Sequence, residues 1–245
     1  MNHSLLSLTC NGWGLALSSK QENTFAAFRD LLLESNERVN LTRIEQQEIE
    51  SLHFLDSVRI AVEIDLNEIH SLLDVGSGAG FPALPLAIMY PHLKVHVLDA
   101  SERRLDFIEY AARQLGLSNI TYHHGRAEEL AHESSLREAF PLVTARALAP
   151  LHTLIELILP FVELSGKAAL LRANDHQEEE SEFVRATGLL GCTLEGAHTY
   201  TLPQKEESRS VLLISKSSST PKDFPRSKKK MERQPLTQIA STRST

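Results

Sequence analysis

Cysteine is scarce. The 245 residues hold two, Cys10 and Cys192, far apart and without a Cys or His at metal-ligand spacing. That argues against a disulfide framework and against a zinc site. Long apolar runs are missing too. A bilayer span needs about 20 apolar residues, and the best stretch, Ala147 to Leu164, is broken by Pro150, His152, Glu156, Pro160 and Glu163. The opening MNHSLLSLTCNGWG has no basic segment, which predicts no secretory signal. No Ser/His/Asp set, paired carboxylates or metal-ligating cluster stands out. What remains is a soluble, cytoplasmic globular protein with no metal and no membrane partner, a monomer being the favoured state. With 42% hydrophobic residues it has ample material for a core.

Positive charge is in short supply over most of the chain. Residues 1–215 hold 17 Lys/Arg against 30 Asp/Glu, whereas residues 216–245 hold 8 against 2. A basic end on an acidic body suits a polyanionic partner. Composition alone favours a solvated, frayed terminus.

Three regions follow from the patterning. Residues 1–66 read as helical. Ser19 with Glu22 has capping-box spacing ahead of Phe25, Phe28 and Leu32 on one face. Thr42 with Glu45 repeats it ahead of Ile49, Leu52, Leu55 and Val62. Residues 67–216 alternate short apolar runs with helical segments. The runs are Leu72–Val75, Val95–Leu98, Ile120–Tyr122, Leu142–Ala145, Ala168–Leu171 and Val211–Ile214; helices are expected over Phe81–Met89 and Glu102–Leu115. Such alternation predicts βαβ units and a mostly parallel sheet covered on both faces. Residues 217–245, rich in Ser, Thr, Pro and Lys, read as a mobile tail.

The sharpest signal is Leu72-Leu-Asp74-Val-Gly76-Ser-Gly78-Ala-Gly80-Phe81-Pro82, a strand running into a glycine turn and a helix. Glycines let backbone amides approach a ligand closely, and the helix start adds partial positive charge. The spacing departs from the dinucleotide fingerprint, since the third Gly comes early and Phe81 fills its slot. Asp74 would repel a pyrophosphate and hold an amino group. Asp99, ending the next strand, sits where a carboxylate accepts ribose hydroxyls. Gly125-Arg-Ala127-Glu128, after the third strand, suits the flank of an adenine. Together these describe a site for S-adenosylmethionine. The glycine spacing and Asp74 argue against a nicotinamide oxidoreductase, and a non-catalytic RNA-binding module would leave the nucleoside pocket unexplained.

The run from Asp74 to Leu86 resembles the motif of the ribosomal RNA small subunit methyltransferase G family, the glucose-inhibited division protein B family. Asn36-Glu-Arg-Val-Asn40-Leu-Thr42, His53-Phe-Leu-Asp56-Ser57, Leu98-Asp99-Ala-Ser, Gly125-Arg-Ala-Glu128 and Thr144-Ala-Arg146-Ala147 resemble it as well, as does Thr220-Pro-Lys-Asp-Phe-Pro225-Arg. The resemblance implies a Rossmann-like class I S-adenosylmethionine-dependent methyltransferase with an N-terminal helical extension. It implies methylation of guanine N7 in the decoding-region hairpin of 16S rRNA, nucleotide 527 in the family's rRNA numbering. Another RNA substrate, or nucleoside binding without catalysis, is the alternative. Gly76, Phe81, Ala127, Glu128 and Arg146 would contact the cofactor, beside Asp74, Gly78, Gly80 and Asp99 from the pocket reading, and Arg146 would be the catalytic group. The 16S rRNA or small ribosomal subunit would be the partner. The chain departs from the family in having Arg172-Ala173 where Lys-Gly is usual, and Ser227-Lys-Lys-Lys230 in place of Gly-Thr-Pro before the last basic cluster.

Smaller features have plainer readings. His123-His124 suits a structural pair, Arg103-Arg104 a solvated helix face, and Trp13 a frayed terminus. His53 and Asp56, at i, i+3, are explained as well by a structural hydrogen bond as by function.

Overall fold

The computed structural model describes residues 4–173 and 180–242; the outermost residues of the 1–66 and 217–245 regions lie outside the described part. Seven strands form one sheet: β1 (Ser71–Val75), β2 (Lys94–Asp99), β3 (Ile120–His124), β4 (Phe140–Arg146), β5 (Val162–Ala173), β6 (Cys192–Thr201) and β7 (Ser208–Lys216). Their order is β3-β2-β1-β4-β5-β7-β6. The first five are parallel, and β7 runs antiparallel between β5 and β6. Because β1 is covered on both faces, it is buried at every position, Ser71 and Asp74 included. Leu72 belongs to one core, with Phe25, Phe28, Leu32 and Ile108; Leu73, one residue on, belongs to the other, with Leu154, Ile155 and Ile158. The helix Glu102–Leu115 forms as its stripe predicts and ends at Gly116, whose φ of +68° closes it.

Four expectations need correction. The second helix runs Ser19–Val39, but its capping box is Ser18 with Gln21. Ser18 lies one residue earlier, in extended backbone, and so reaches the Gln21 amide, while Gln21 bonds back to the Ser18 N–H. Thr42 caps nothing: its hydroxyl accepts from the Ile44 amide and meets His53 Nε2 at 2.8 Å. The helical segment starts at Gln46 and passes through a π-helical stretch, Ile49–Leu55. Trp13 follows a packed helix, Leu5–Gly12, and the Arg59 guanidinium lies over its ring.

The largest correction concerns the tail. Phe224, Met231 and Leu236 are buried in the second core, and helices form over Lys228–Arg233 and Leu236–Thr242. Three large apolar side chains at wide spacing are invisible in composition, yet each contributes about 1.5–3 kcal/mol when buried. Polar interactions add to them. Glu156, fully buried, takes Arg226 on both carboxylate oxygens at 2.8 and 2.6 Å. Arg137 donates to four carbonyls, those of Ala131, Thr220, Pro221 and Phe224. The segment expected to be mobile is docked. Among the described residues no helix is long and apolar enough to cross a membrane.

Candidate functional site

At the end of β1 the chain turns through Gly76, Gly78 and Gly80, with φ of +73°, +59° and +87°. L side chains rarely adopt such angles, so the turn requires glycine. The Gly76 and Ser77 amides bond to the Leu98 carbonyl at 2.7 and 3.2 Å, tying the turn to β2. Around Gly78 the space is open, the nearest atom to an added Cβ being the Gly76 carbonyl oxygen at 3.9 Å. Above Gly76 sits the Leu148 side chain, with which a Cβ there would clash.

Behind the turn lies Asp74, wholly buried. Its Oδ1 accepts from the Thr144 hydroxyl at 2.9 Å, and its Oδ2 has no partner. Burial raises its pKa from 3.8 to about 6, against the opposing pull of Thr144 and Ser77. Asp99, 4% exposed, accepts the Gly78 amide on Oδ2 and the Ser101 amide on Oδ1, both at 2.9 Å. Arg103 and Arg104 are exposed, as expected of a solvated helix face, and Arg104 also reaches Asp99 at 3.6 Å and lines the cleft.

A cleft of about 1150 Å³ opens beside the turn. It brings together Gly76, Gly78, Phe81 and Arg146, four of the residues singled out from sequence. Asp74, Gly80 and Asp99 are not on its wall. Ala127 is buried, and Glu128 faces a second, smaller cleft beside the C-terminal segment. The fit to S-adenosylmethionine rests on three features: an orphaned carboxylate oxygen behind the turn, open space over Gly78, and an acidic residue closing β2 beside a glycine amide. These residues suit the group.

Arg146, at the end of β4, is the most engaged side chain in the cleft. Its Nη1 donates to the Leu52 carbonyl at 3.0 Å and to Asp56 Oδ2 at 3.3 Å. Its Nη2 donates to His53 Nδ1 at 2.8 Å, and the guanidinium lies 5.0 Å from the Phe81 ring centroid. An arginine only donates, so His53 Nδ1 must accept, and the ring proton sits on Nε2, toward Thr42. Burial and the charges of Arg146 and Arg209 push the His53 pKa from 6.5 to about 2, which keeps it neutral. His53 also stacks on Phe81, with centroids 4.1 Å apart and rings 3° from parallel.

His53 and Asp56 therefore do not bond to each other, as their spacing suggests; both hold Arg146. Asp56 is shared further, its Oδ1 accepting from the Tyr200 hydroxyl at 2.7 Å and from Arg209 at 3.2 Å. Tyr200 and Arg209 are missed in the sequence because β6, Cys192–Thr201, carries no apolar run and its pairing with β7 sets Tyr200 opposite Arg209. The one available signal is the hydropathic run of β7 just after Arg209. His123 does not pair with His124, its neighbour in sequence; it stacks on His96 of the adjacent strand β2 and meets it at 3.0 Å, because successive residues of a strand point to opposite faces.

The model of the rRNA small subunit methyltransferase G family matches residues 21–212. The chain is 41% identical over 214 residues to the ribosomal RNA small subunit methyltransferase G of Bacillus subtilis, covering 87% of this chain and 90% of that one. Its counterpart in Geobacillus kaustophilus is 39% identical over 91% of this chain and 94% of its own length. Among solved structures, magnesium protoporphyrin IX methyltransferase from Synechocystis PCC 6803, with bound S-adenosylmethionine, superposes with a TM-score of 0.56 at 14% identity, over 82% of this chain and 99% of that one. The glycine turn, the seven-stranded sheet and the extent of these matches agree: this chain belongs to the rRNA small subunit methyltransferase G family.

Proposed function

We propose that this protein transfers a methyl group from S-adenosylmethionine to N7 of a guanine in small-subunit rRNA, nucleotide 527 in the family's numbering. The observation that supports this most directly is the composition of the cleft. A planar donor group, Arg146, and a glycine turn open to a ligand share one wall, and the nearest histidine is neutral with both nitrogens committed. Guanine N7 carries a lone pair and no proton, so methylation there requires no general base. The rate must come from alignment and electrostatics.

The cofactor, when bound, supplies an electrophilic methyl on a sulfonium. The protein does the rest. Gly76, Gly78 and Gly80 let the backbone come close to the ligand, and Asp74 offers its orphaned oxygen to an amino group. Asp99, fixed by two amides, accepts from ribose hydroxyls, and Ala127 with Glu128 flanks the adenine. Arg146, fixed in plane by Leu52, His53 and Asp56, presents what remains of its donor fork to the incoming base. Phe81 and Leu148 supply apolar walls that keep water out. Residues 67–216 form the methyltransferase unit, with 1–66 as the helical extension that supplies His53 and Asp56. The protein works as a monomer in the cytoplasm, where its ribosomal substrate is.

The test uses purified protein, S-adenosylmethionine labelled in its methyl group, and small subunits from cells lacking the modification. Transfer to a single guanine, mapped by reverse transcription after cleavage at N7-methylguanine, is expected. Labelling elsewhere, or none, overturns the reading.

A further inference from the structure

We propose that the short basic helix Lys228–Arg233 is a fixed RNA-docking surface, mounted beside the glutamate-rich helix Ala127–Leu130 by the buried Glu156–Arg226 pair. The proposal rests on the rRNA-methylating reading and names where the RNA backbone is held.

Four observations support it. First, Lys228, Lys229, Lys230 and Arg233 are all exposed, and only Lys228 has an acidic partner among the described residues, Glu232 at 3.8 Å. Second, Lys228 and Lys229 occupy the first turn of a helix without a side-chain cap, where cations oppose the helix dipole. Lys230 and Arg233 fall in its last turn, where the dipole favours them, but four cations on so short a segment repel one another. Helix stability does not account for the whole cluster; a polyanion outside does.

Third, the mount is rigid. Arg226 gives Glu156 its backbone amide as well as its guanidinium, and reaches the Gln234 carbonyl past the helix at 3.0 Å. His132 meets the Pro225 carbonyl at 2.9 Å, and Met231 anchors the underside. Fourth, the surface lies next to the C-terminal end of β3. A cleft of about 490 Å³, with Glu128 and Glu129 also on its wall, joins Lys228 and Lys229 to Arg126, two residues past β3 in the loop assigned to the adenine. An otherwise acidic body thus presents its densest positive charge at the edge where substrate must arrive. A docked cluster loses less freedom on binding RNA than a frayed one would, and so holds phosphates in a set register to the cleft.

The experiment compares full-length wild type with two variants. One is Lys229→Gln/Lys230→Gln/Arg233→Gln, all at exposed positions. The other is Glu156→Gln, which leaves every surface cation in place and raises the net charge by one. Binding to unmethylated small subunits is titrated at several salt concentrations without cofactor, and S-adenosylmethionine affinity is measured separately. For the triple variant the salt slope is expected to fall by roughly 0.7–0.9 for each phosphate no longer neutralised, with affinity about tenfold or more lower near 0.1 M salt and cofactor affinity unchanged. Glu156→Gln is expected to weaken subunit binding despite its extra positive charge, because the surface is no longer held. Unchanged slope and affinity in the triple variant, with wild-type transfer intact, overturns the surface while leaving the function standing. Absence of methyl transfer by wild type, with the slope still lowered in the triple variant, overturns the function and not the surface. Tighter binding by folded Glu156→Gln means charge alone matters and overturns the rigid mount. Binding to anionic vesicles that falls with the triple variant while subunit binding does not would move the surface to lipid headgroups, and overturn it as an RNA site.

Discussion

Two buried carboxylates in this molecule, Asp56 and Glu156, take arginine partners, and their surroundings are built differently. Around Asp56, two guanidinium groups, Arg146 and Arg209, share one carboxylate with the Tyr200 hydroxyl, and His53 stays neutral. The excess positive charge faces the large cleft. Around Glu156, one guanidinium meets one carboxylate through both oxygens, with no charge left over. The first arrangement is under-neutralised and reaches outward; the second is matched and closed. A surplus of donors beside a cavity is what a site for an electron-rich base needs, whereas a matched pair serves only to fasten.

The comparison can be broken by substitution. Glu156→Ala strands a buried arginine and should lower unfolding free energy by about 3–5 kcal/mol, measured in urea, with S-adenosylmethionine affinity of the folded fraction unchanged. A loss of cofactor binding out of proportion to unfolding would show that the closed pair also serves the cleft. Arg146→Lys should do the reverse. It keeps the charge but loses the fork, so single-turnover transfer should fall by about 100-fold while stability moves by about 1 kcal/mol. Near-normal turnover would reduce Arg146 to a packing role.

Smaller effects come from protonation. The pKa of Asp74 is raised in the folded state, so the native protein binds the extra proton between pH 3.8 and about 6. Stability therefore falls as pH rises through that window, by up to about 3 kcal/mol, and stays reduced above it. Asp74→Asn should stabilise the protein at pH 7.5 and lose that advantage near pH 4, while weakening cofactor binding; a gain that does not vary with pH would mean Asp74 is not the group titrating. His53 works in the opposite sense. Its depressed pKa means the unfolded chain takes up a proton first as pH drops below 6.5, so stability is present above 6.5 and is lost on acidification. His53→Gln should lessen acid lability between pH 6 and 4 by thermal melts. Least of all, Leu148→Ala uncovers Gly76 and should change cofactor affinity by no more than about threefold in stopped-flow measurements.

Legibility in the sequence tracks how local the signal is. The glycine turn, the end of β2 at Asp99 and the Glu102–Leu115 helix are set by neighbours within a few residues, and the structure has these elements as read. The Ser18 cap is displaced by one residue because two serines in a row offer the same pattern and only the backbone turn selects between them. β6 and the tail are hidden for a common reason. Tyr200, Phe224, Met231 and Leu236 are single large side chains in polar surroundings, and burial of each depends on a distant partner rather than on a period. His53 and Asp56 stand out by their spacing, which pairs them with one another, since their joint ligand, Arg146, lies some ninety residues away.

The Asp56 junction also bears on how the protein comes into being. Its partners Tyr200 and Arg209 lie 144 and 153 residues downstream. Such distant bonds close late, because the entropy of joining remote segments must be met before they form. A nascent chain still missing β6 and β7 has its glycine turn and its Asp99 but not the complete clamp on Arg146. On a ribosome adding residues from the N-terminus, a competent enzyme is therefore the product of nearly finished synthesis.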